Sequence, residues 1–398
     1  MNPSEDIGIV KTEKSGIKKA LSLETLVFFI IFGVVFGALG YVMGGINLIN
    51  TIINSAYDLL MNTAFYIMAV AVVTGALSEL LLEFGAISAA NKLLSPLIKP
   101  IFGLPGASMI GICTTYLSDN PAILTFGNNM QIRKYFKKYQ LPALTNIGTA
   151  FGMGLIVTAF CAGLSSPNGE NMVAAVLIGN LGAIIGGFVS TRLMLVMMKK
   201  KYGKDDPAPI EGDDTDDLDV INFRRVRNGS FGSRFMTAAL DGGGQGVKLG
   251  LQIIPGILII TTLVMLFTNG PSESGAYTGA AYEGIGLLPY LGNKIDFILK
   301  PMFGFLSPEG IVVPLTALGA AGSAISLIPD LLAKGLANAH DVCVFTATCM
   351  CFSGYLCTHV VMMESLGYSK DTGKAIMSHT IGGIVAGVAA NILYNLIM

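Results

Sequence analysis

Seven stretches of this sequence are long enough to cross a bilayer and carry no Asp, Glu, Lys or Arg: residues 25–48, 59–78, 139–163, 171–191, 249–268, 342–363 and 375–398. A helix needs about 20 apolar residues to span the hydrocarbon core. Charged residues are only 13% of the 398 positions and hydrophobic ones 52%, whereas a soluble domain carries about 25% charged residues. So little charge does not wet the surface of a globule, and the chain reads as an all-α polytopic membrane protein with about seven transmembrane helices. Its first two dozen residues are polar and the run behind them lacks a small-residue cleavage site, which predicts a retained first span and not a signal peptide.

Two further apolar stretches, 100–132 and 301–329, are interrupted near their middles, one by Asp119-Asn120-Pro121 and the other by Ser307-Pro308-Glu309-Gly310 and later by Gly319 and Gly322. These breaks predict re-entrant helical hairpins, because non-helical backbone survives at membrane depth only where protein buries it or a cavity wets it. Alternating the seven spans from a cytoplasmic N-terminus puts every Lys and Arg on one side except Lys294, Lys300 and Lys334, a strong positive-inside bias. The expected organisation is a cytoplasmic tail (1–24), a first half (25–198), a cytoplasmic linker (199–248) and a second half (249–398), with the C-terminus external. The acidic run of the linker, from Glu211 to Asp219, followed by Arg224, Arg225 and Arg227, reads as a solvated tether.

The halves echo each other. Asn91-Lys92 leads to Lys99-Pro100-Ile101-Phe102-Gly103, and Asn293-Lys294 leads to Lys300-Pro301-Met302-Phe303-Gly304. Each half then runs through a surface helix, a broken hairpin, a polar turn and two spans, entered from opposite faces. That order predicts an inverted-topology repeat with a binding site near the midplane where the repeats meet.

Polar groups inside the membrane are costly and are the default site candidates. In the first hairpin these are Ser118, Asp119, Asn120, Asn128 and Asn129, with Asp119 the only ionisable residue between Lys99 and Arg133. In the span that follows, Asn146 and Thr149 accompany Gly148, Gly152 and Gly154, and such a segment is able to unwind and offer carbonyls to a small cation. Ser323 and Ser326 hold the matching part of the second hairpin, and Thr358 lies in the most polar span. The expected substrate set is Asp119, Asn120, Asn128, Asn129, Ser323, Ser326 and Thr358; the expected ion set is Ser118, Asn146 and Thr149. Four of the six cysteines and all three histidines fall after position 339, but Cys349, Cys351 and His359 share no helical face well and no C-x-x-C pair occurs. No metal centre is expected, and the thiols read as reduced and buried. His379, five residues after Lys374, is expected near the cytoplasmic surface. No G-x-x-x-x-G-K-[ST] and no catalytic constellation occurs, so neither an ATPase nor an enzyme is indicated. Gly242-Gly243-Gly244-Gln245-Gly246 reads as a flexible break before the fifth span.

Ser118-Asp119-Asn120-Pro121, with Leu144-Thr145-Asn146-Ile147-Gly148-Thr149-Ala150 behind it, resembles the first hairpin and following helix of concentrative nucleoside transporters. Gly246-Val247-Lys248-Leu249-Gly250-Leu251 and the closing run from Ser365 to Asn391 are similar to that family's second half. Where those carriers have Gln-Thr-Glu-Ala-Pro, this chain has Leu117-Ser118-Asp119-Asn120-Pro121, and their Asn-Glu-Phe has no match in Ala324-Ile325-Ser326-Leu327. The likeness therefore extends to the broader nucleoside-recognition, or Gate, superfamily. It implies a dimeric or trimeric elevator-type carrier in a bacterial cytoplasmic membrane, coupled to sodium or protons, moving a small polar solute without a cofactor. A divalent-metal carrier using the Cys/His-rich span and a non-transporting scaffold are the rival readings.

Overall fold

Apolar side chains on all faces of long helices leave burial in lipid as the only way to remove them from water, and the architecture follows that demand. The computed structural model describes residues 20–120, 122–127, 133–165, 169–208, 223–272 and 274–398. Among them the ordered elements are helices, with one isolated bridge between Lys137 and Pro207. Six helical units are long and apolar enough to cross a membrane, and a seventh arises if one bent pair is counted as a span. The protein is an all-α polytopic membrane protein.

The first span, α1, is Leu23–Met43, capped by Ser22, whose hydroxyl accepts from the Thr25 amide. Its Phe28, Phe29, Ile30 and Ile31 are exposed and face lipid. Helix α2 (Gly45–Asp58) passes through a π-helical segment, Leu59–Ala64, into α3 (Phe65–Glu83), one rod of 39 residues. The surface helix α4 (Ala86–Phe102) follows, then the first hairpin, α5 (Ser108–Leu117) and α6 (Ala122–Gly127). A broken span, α7 (Ala143–Ala150) and α8 (Gly154–Ala162), and a long helix, α9 (Met172–Tyr202), complete this half.

The second half repeats the order. Helix α10 (Phe231–Gly256) passes through a π-helical segment, Ile257–Thr261, into α11 (Thr262–Thr268), a rod of 38 residues. Surface helix α12 (Leu287–Phe303) leads at a bend of 75° into the second hairpin. That hairpin comprises a 3-10 turn (Pro308–Ile311), α13 (Val312–Ala317), α14 (Ala321–Ile325) and α15 (Ile328–Ala333). A broken span, α16 (Ala339–Phe352) and α17 (Tyr355–Ser365), precedes the closing helix α18 (Thr372–Ile397).

The inverted repeat is thus far deeper than five shared residues. Helices α4 and α12 both have 17 residues, carry a proline near their C-termini, begin behind a glycine with positive φ (Gly85, Gly286) and end at another (Gly103, Gly304). A left-handed residue at a helix terminus satisfies orphan carbonyls and costs glycine least. The apolar run 139–163, whose glycines predict a span able to unwind, breaks at Met153, with φ of 54°. The run 342–363 breaks in the same way at Ser353, with φ of 41°.

Small residues set the packing. Helices α3 and α10 cross where Gly242 meets the Gly75 carbonyl and Gly246 meets that of Ala71. The expected flexible break at 242–246 is therefore wrong. These glycines lie inside a helix that begins at Phe231, and they are there because backbones that approach this closely leave no room for a Cβ. Helices α9 and α18 pack likewise through Gly182, Gly186, Gly382 and Ala386.

Neighbouring glycines in one helix provide a test. A Cβ at Gly242 would sit 2.2 Å from the Gly75 carbonyl oxygen, whereas at exposed Gly244 it would meet nothing within 4 Å. Gly242→Ala is expected to destabilise the protein by about 1–3 kcal/mol through overpacking, and Gly244→Ala to stabilise it by about 0.5–1 kcal/mol through lost chain entropy. Thermal unfolding of the two purified variants should move the midpoint in opposite directions; equal shifts would contradict the packing.

Candidate functional site

A helix broken inside a membrane exposes amides and carbonyls with no partner of their own, and this fold brings its breaks together so that they serve one another. The first hairpin turns at Ser118-Asp119-Asn120. The Ser118 hydroxyl accepts from the Asp119 amide at 2.5 Å, and an Asp119 carboxylate oxygen accepts from the Asn120 amide at 2.7 Å. These bonds turn the chain and aim Asn120, which is fully buried, at the second broken span. Its side-chain amide donates to the Ser353 carbonyl and lies 3.5 Å from the Thr358 hydroxyl.

The Ser353 hydroxyl donates back to the Gly152 carbonyl at 3.2 Å, joining the two broken spans at their breaks. The second hairpin closes the set. The Gly354 amide donates to the Ala317 carbonyl at 2.8 Å, and the Leu356 amide to that of Leu318 at 3.4 Å. All four interrupted elements therefore meet around Asn120, Gly152, Ser353 and Gly354. A Cβ at Gly152 would lie 1.3 Å from Asn120 Oδ1, so only glycine lets the hairpin tip enter. Asn120 Oδ1 is buried there and has no hydrogen-bond partner among the described residues.

Beside this junction lies a cavity of about 600 Å³, within the size range of small-molecule sites. The hairpin supplies Thr114, Ser118 and Asp119, α3 supplies Thr74 and Ser78, and α10 supplies Gln245 and Gln252. Asp119 has one oxygen committed to the turn and its side chain borders the cavity. At the far wall Glu79 is bonded by Arg227 of the linker at 3.0 Å and by Gln245 at 3.3 Å. Arg227 also holds Glu83 and Asp241, and these carboxylates, Glu79 most strongly, hold its guanidinium pKa above the usual arginine value.

The expected site residues separate into three groups. Ser118, Asp119, Asn120 and Thr358 come together at the junction and cavity, whereas Asn128 and Asn129 lie outside the described residues. Asn146 does not face the hairpin tip as expected. Its amide donates to Ser190 and Ser378, each at 2.8 Å, so the costly buried group is spent on joining α7 to α9 and α18. Thr149 is buried with its hydroxyl unpartnered, on the helix that receives the hairpin. Ser323 and Ser326 face α10 and its π segment: Ser326 pairs with the Thr261 hydroxyl at 3.0 Å, and the Ser323 carbonyl accepts from Thr261 at 3.2 Å. Sequence reasoning named Gly152 in the span facing the hairpin but missed Ser353 and Gly354 as its partners in the junction, although a Ser-Gly pair inside an apolar run was the available signal. It also missed the cavity wall from α3 and α10.

His379 is not near a surface. It is fully buried and bonded to Ser190 and to the Cys351 carbonyl. Cys161, Cys343, Cys349 and Cys351 are free and buried. Among the described residues no three His, Cys, Asp or Glu side chains are placed to share a metal ion.

No family model matches the chain, and no characterised protein matches it in sequence. Solved structures do match. An inward-facing, substrate-bound structure of CNTnw, a concentrative nucleoside transporter, aligns over 94% of this chain and 84% of its own, with 13% identity and a TM-score of 0.53. An outward-facing variant of CNTnw aligns over the same shares at 13% identity, with a TM-score of 0.49. At this identity the likeness is one of fold, and the first of these structures carries it.

The junction makes a graded prediction. Ser353→Ala removes one hydrogen bond between the breaks and should cost about 1 kcal/mol, while Gly152→Ala drives the hairpin tip out and should cost more, about 1–3 kcal/mol. Both are read from thermal unfolding in detergent. A Gly152→Ala protein as stable as the parent would show that the tip does not sit against the break.

Proposed function

We propose that the chain is a secondary active transporter of a small polar solute, such as a nucleoside or an amine, that binds between the two hairpins. The observation that carries this reading is the meeting of four interrupted helices, where Asn120 Oδ1 is buried without a hydrogen-bond partner among the described residues, beside a cavity bordered by Thr114, Ser118 and Asp119 of the same hairpin. An unsatisfied acceptor at that depth costs about 1–3 kcal/mol, and a ligand that donates an N–H or O–H removes the cost. The fold shared with a substrate-bound carrier supports the same reading.

In the proposed cycle the solute reaches Asp119 from the cavity and donates to Asn120 Oδ1, with the Thr358 hydroxyl beside it. A sodium ion or proton is the coupling ion, and Ser118 and Thr149 are the side chains offered to a sodium ion; Asn146 holds the helices behind the site. Filling the site satisfies groups that an empty site leaves bare, so the loaded hairpins are free to move as a unit. The remaining parts of the proposal are an elevator-type movement, a homo-oligomer of two or three protomers, and a bacterial cytoplasmic membrane with the N-terminus inside and the C-terminus outside. The metal-carrier alternative gains no support, because Cys349, Cys351 and His359 form no ligand cluster.

Thermal-shift measurements against nucleosides, amines and amino acids, each with sodium or with potassium, identify the solute, since a ligand that binds only the folded state raises apparent stability. Uptake of that solute into proteoliposomes should fall at least about a hundredfold in Asp119→Ala at an unchanged unfolding midpoint. Uptake at normal affinity would remove Asp119 from the site, and silence against every solute would favour a scaffold.

A further inference from the structure

Close to the junction, on α17 and α18, lies a pair of histidines that the solute site does not use. The rings of His359 and His379 are 4.8 Å apart, centroid to centroid, and both side chains are fully buried. Their surroundings are opposite. His379 has both nitrogens engaged: Nε2 lies 2.6 Å from the Cys351 carbonyl, which only accepts, so Nε2 carries the hydrogen. Nδ1 lies 2.8 Å from the Ser190 hydroxyl and therefore accepts from it in the neutral ring. That hydroxyl in turn accepts from Asn146, whose other amide hydrogen goes to Ser378. The chain of donors fixes one neutral tautomer of His379 and leaves it no free basic nitrogen.

Among the described residues neither nitrogen of His359 meets a partner in hydrogen-bond geometry. The Tyr355 backbone one turn earlier interacts with the ring, and the Tyr355 ring meets it edge-on. A methionine or leucine would fill this space without two orphaned polar atoms, each costing about as much as a lost hydrogen bond. The titratable groups facing the ring are His379 from α18 and Tyr355 from its own helix. Helix α16 turns the Cys351 carbonyl toward this cluster, and α7 and α9 contribute the neutral Asn146 and Ser190. With His379 locked, a metal would find one free imidazole, and no third ligand is placed among the described residues.

We infer that His359 is the site at which a proton couples to movement of the second broken span. It is neutral in the conformation described here and protonated in an alternate one, in which the break at Ser353-Gly354 has opened and its freed carbonyls accept from the imidazolium. The geometry makes the link mechanical: His379 holds the last turn of α16, His359 lies on the first turns of α17, and the break lies between them. A proton taken up at His359 needs acceptors that the closed break lacks. The state that binds more protons gains as pH falls, so acidity populates the open break and closure expels the proton. The inference rests on the transport reading and names its coupling ion.

The test needs no solute, so its failure is distinct from failure of the uptake experiment. Protein with 15N-labelled histidine in lipid nanodiscs is followed by NMR from pH 8 to pH 5, with resonances assigned from His340→Gln, His359→Gln and His379→Gln. The His359 ring is expected to be neutral at pH 8 and charged in a growing fraction toward pH 5, while His379 keeps its Nε2–H form. In parallel, amide hydrogen exchange of segment 349–360 is compared between wild type and His359→Gln at each pH, which cancels the intrinsic pH dependence of exchange. The wild-type excess should grow about tenfold from pH 8 to pH 5. If His359→Gln fails to fold, His359→Met serves as the comparison and elimination through the other two variants assigns the signal. A His359 that stays neutral in folded protein at pH 5 is a core residue and ends the proposal; one that charges with no change in exchange separates the proton from the break and also overturns it.

Discussion

In hydrocarbon a backbone amide or carbonyl without a partner costs several kcal/mol, and water is not there to supply one. This chain interrupts four helices where most membrane proteins keep them whole. The arrangement holds because each interruption is answered by another: Asn120 by Ser353, Ser353 by Gly152, Gly354 by Ala317. The junction is therefore cooperative in a strict sense. Displacing any one tip strands the polar groups of its neighbours, which favours rigid movement of the hairpins with their spans over piecemeal loosening. A donor supplied at Asn120 Oδ1 would complete a part of the network that the protein leaves open.

Such a junction forms only if the surrounding helices approach closely enough to carry it, and small residues allow that. Where α3 crosses α10 and α9 crosses α18, glycine and alanine let backbones touch, so dispersion contacts replace the hydrophobic drive that lipid does not provide. Close backbone approach also brings short polar side chains within reach across helices. Asn146 bonds Ser190 and Ser378 from one position because α7, α9 and α18 converge there. The same residue pattern thus serves packing and polar recognition together, which is why counting glycines alone does not separate the two.

This explains what was legible in the sequence. Charge-free runs, the one-sided basic residues and the paired Lys-Pro-x-Phe-Gly motifs are read by lipid and by helix termini, and both act locally. They led directly to the inverted repeat and to hairpin tips at Ser118–Asn120. What was not legible depends on which helix faces which. Asn146 looked like a cation ligand because a buried amide must have partners, but which partners is decided by α9 and α18, far away in sequence. The Gly242–Gly246 run has turn-like composition and yet is helical, because α3 supplies a backbone that requires exactly small residues opposite it only once the helices cross. His379 looked interfacial from its distance to Lys374 and is interior, because that helix enters the core within a turn of its start.

The two histidines show how far local chemistry goes once that facing is known. Equal in type and both buried, they differ in what surrounds them. His379 is stitched to α9 and to the end of α16, and it belongs to the scaffold of the break as much as Asn146 does. His359 has been given no partner by the same network that satisfied its neighbour. A polar group left bare beside fully satisfied ones is a stability cost confined to one place, and stability is often surrendered where a protein must change state. Its position next to the junction means that any movement opening the break also changes what His359 can bond. A group of this kind feels the conformation directly, and by linkage the conformation must feel its proton.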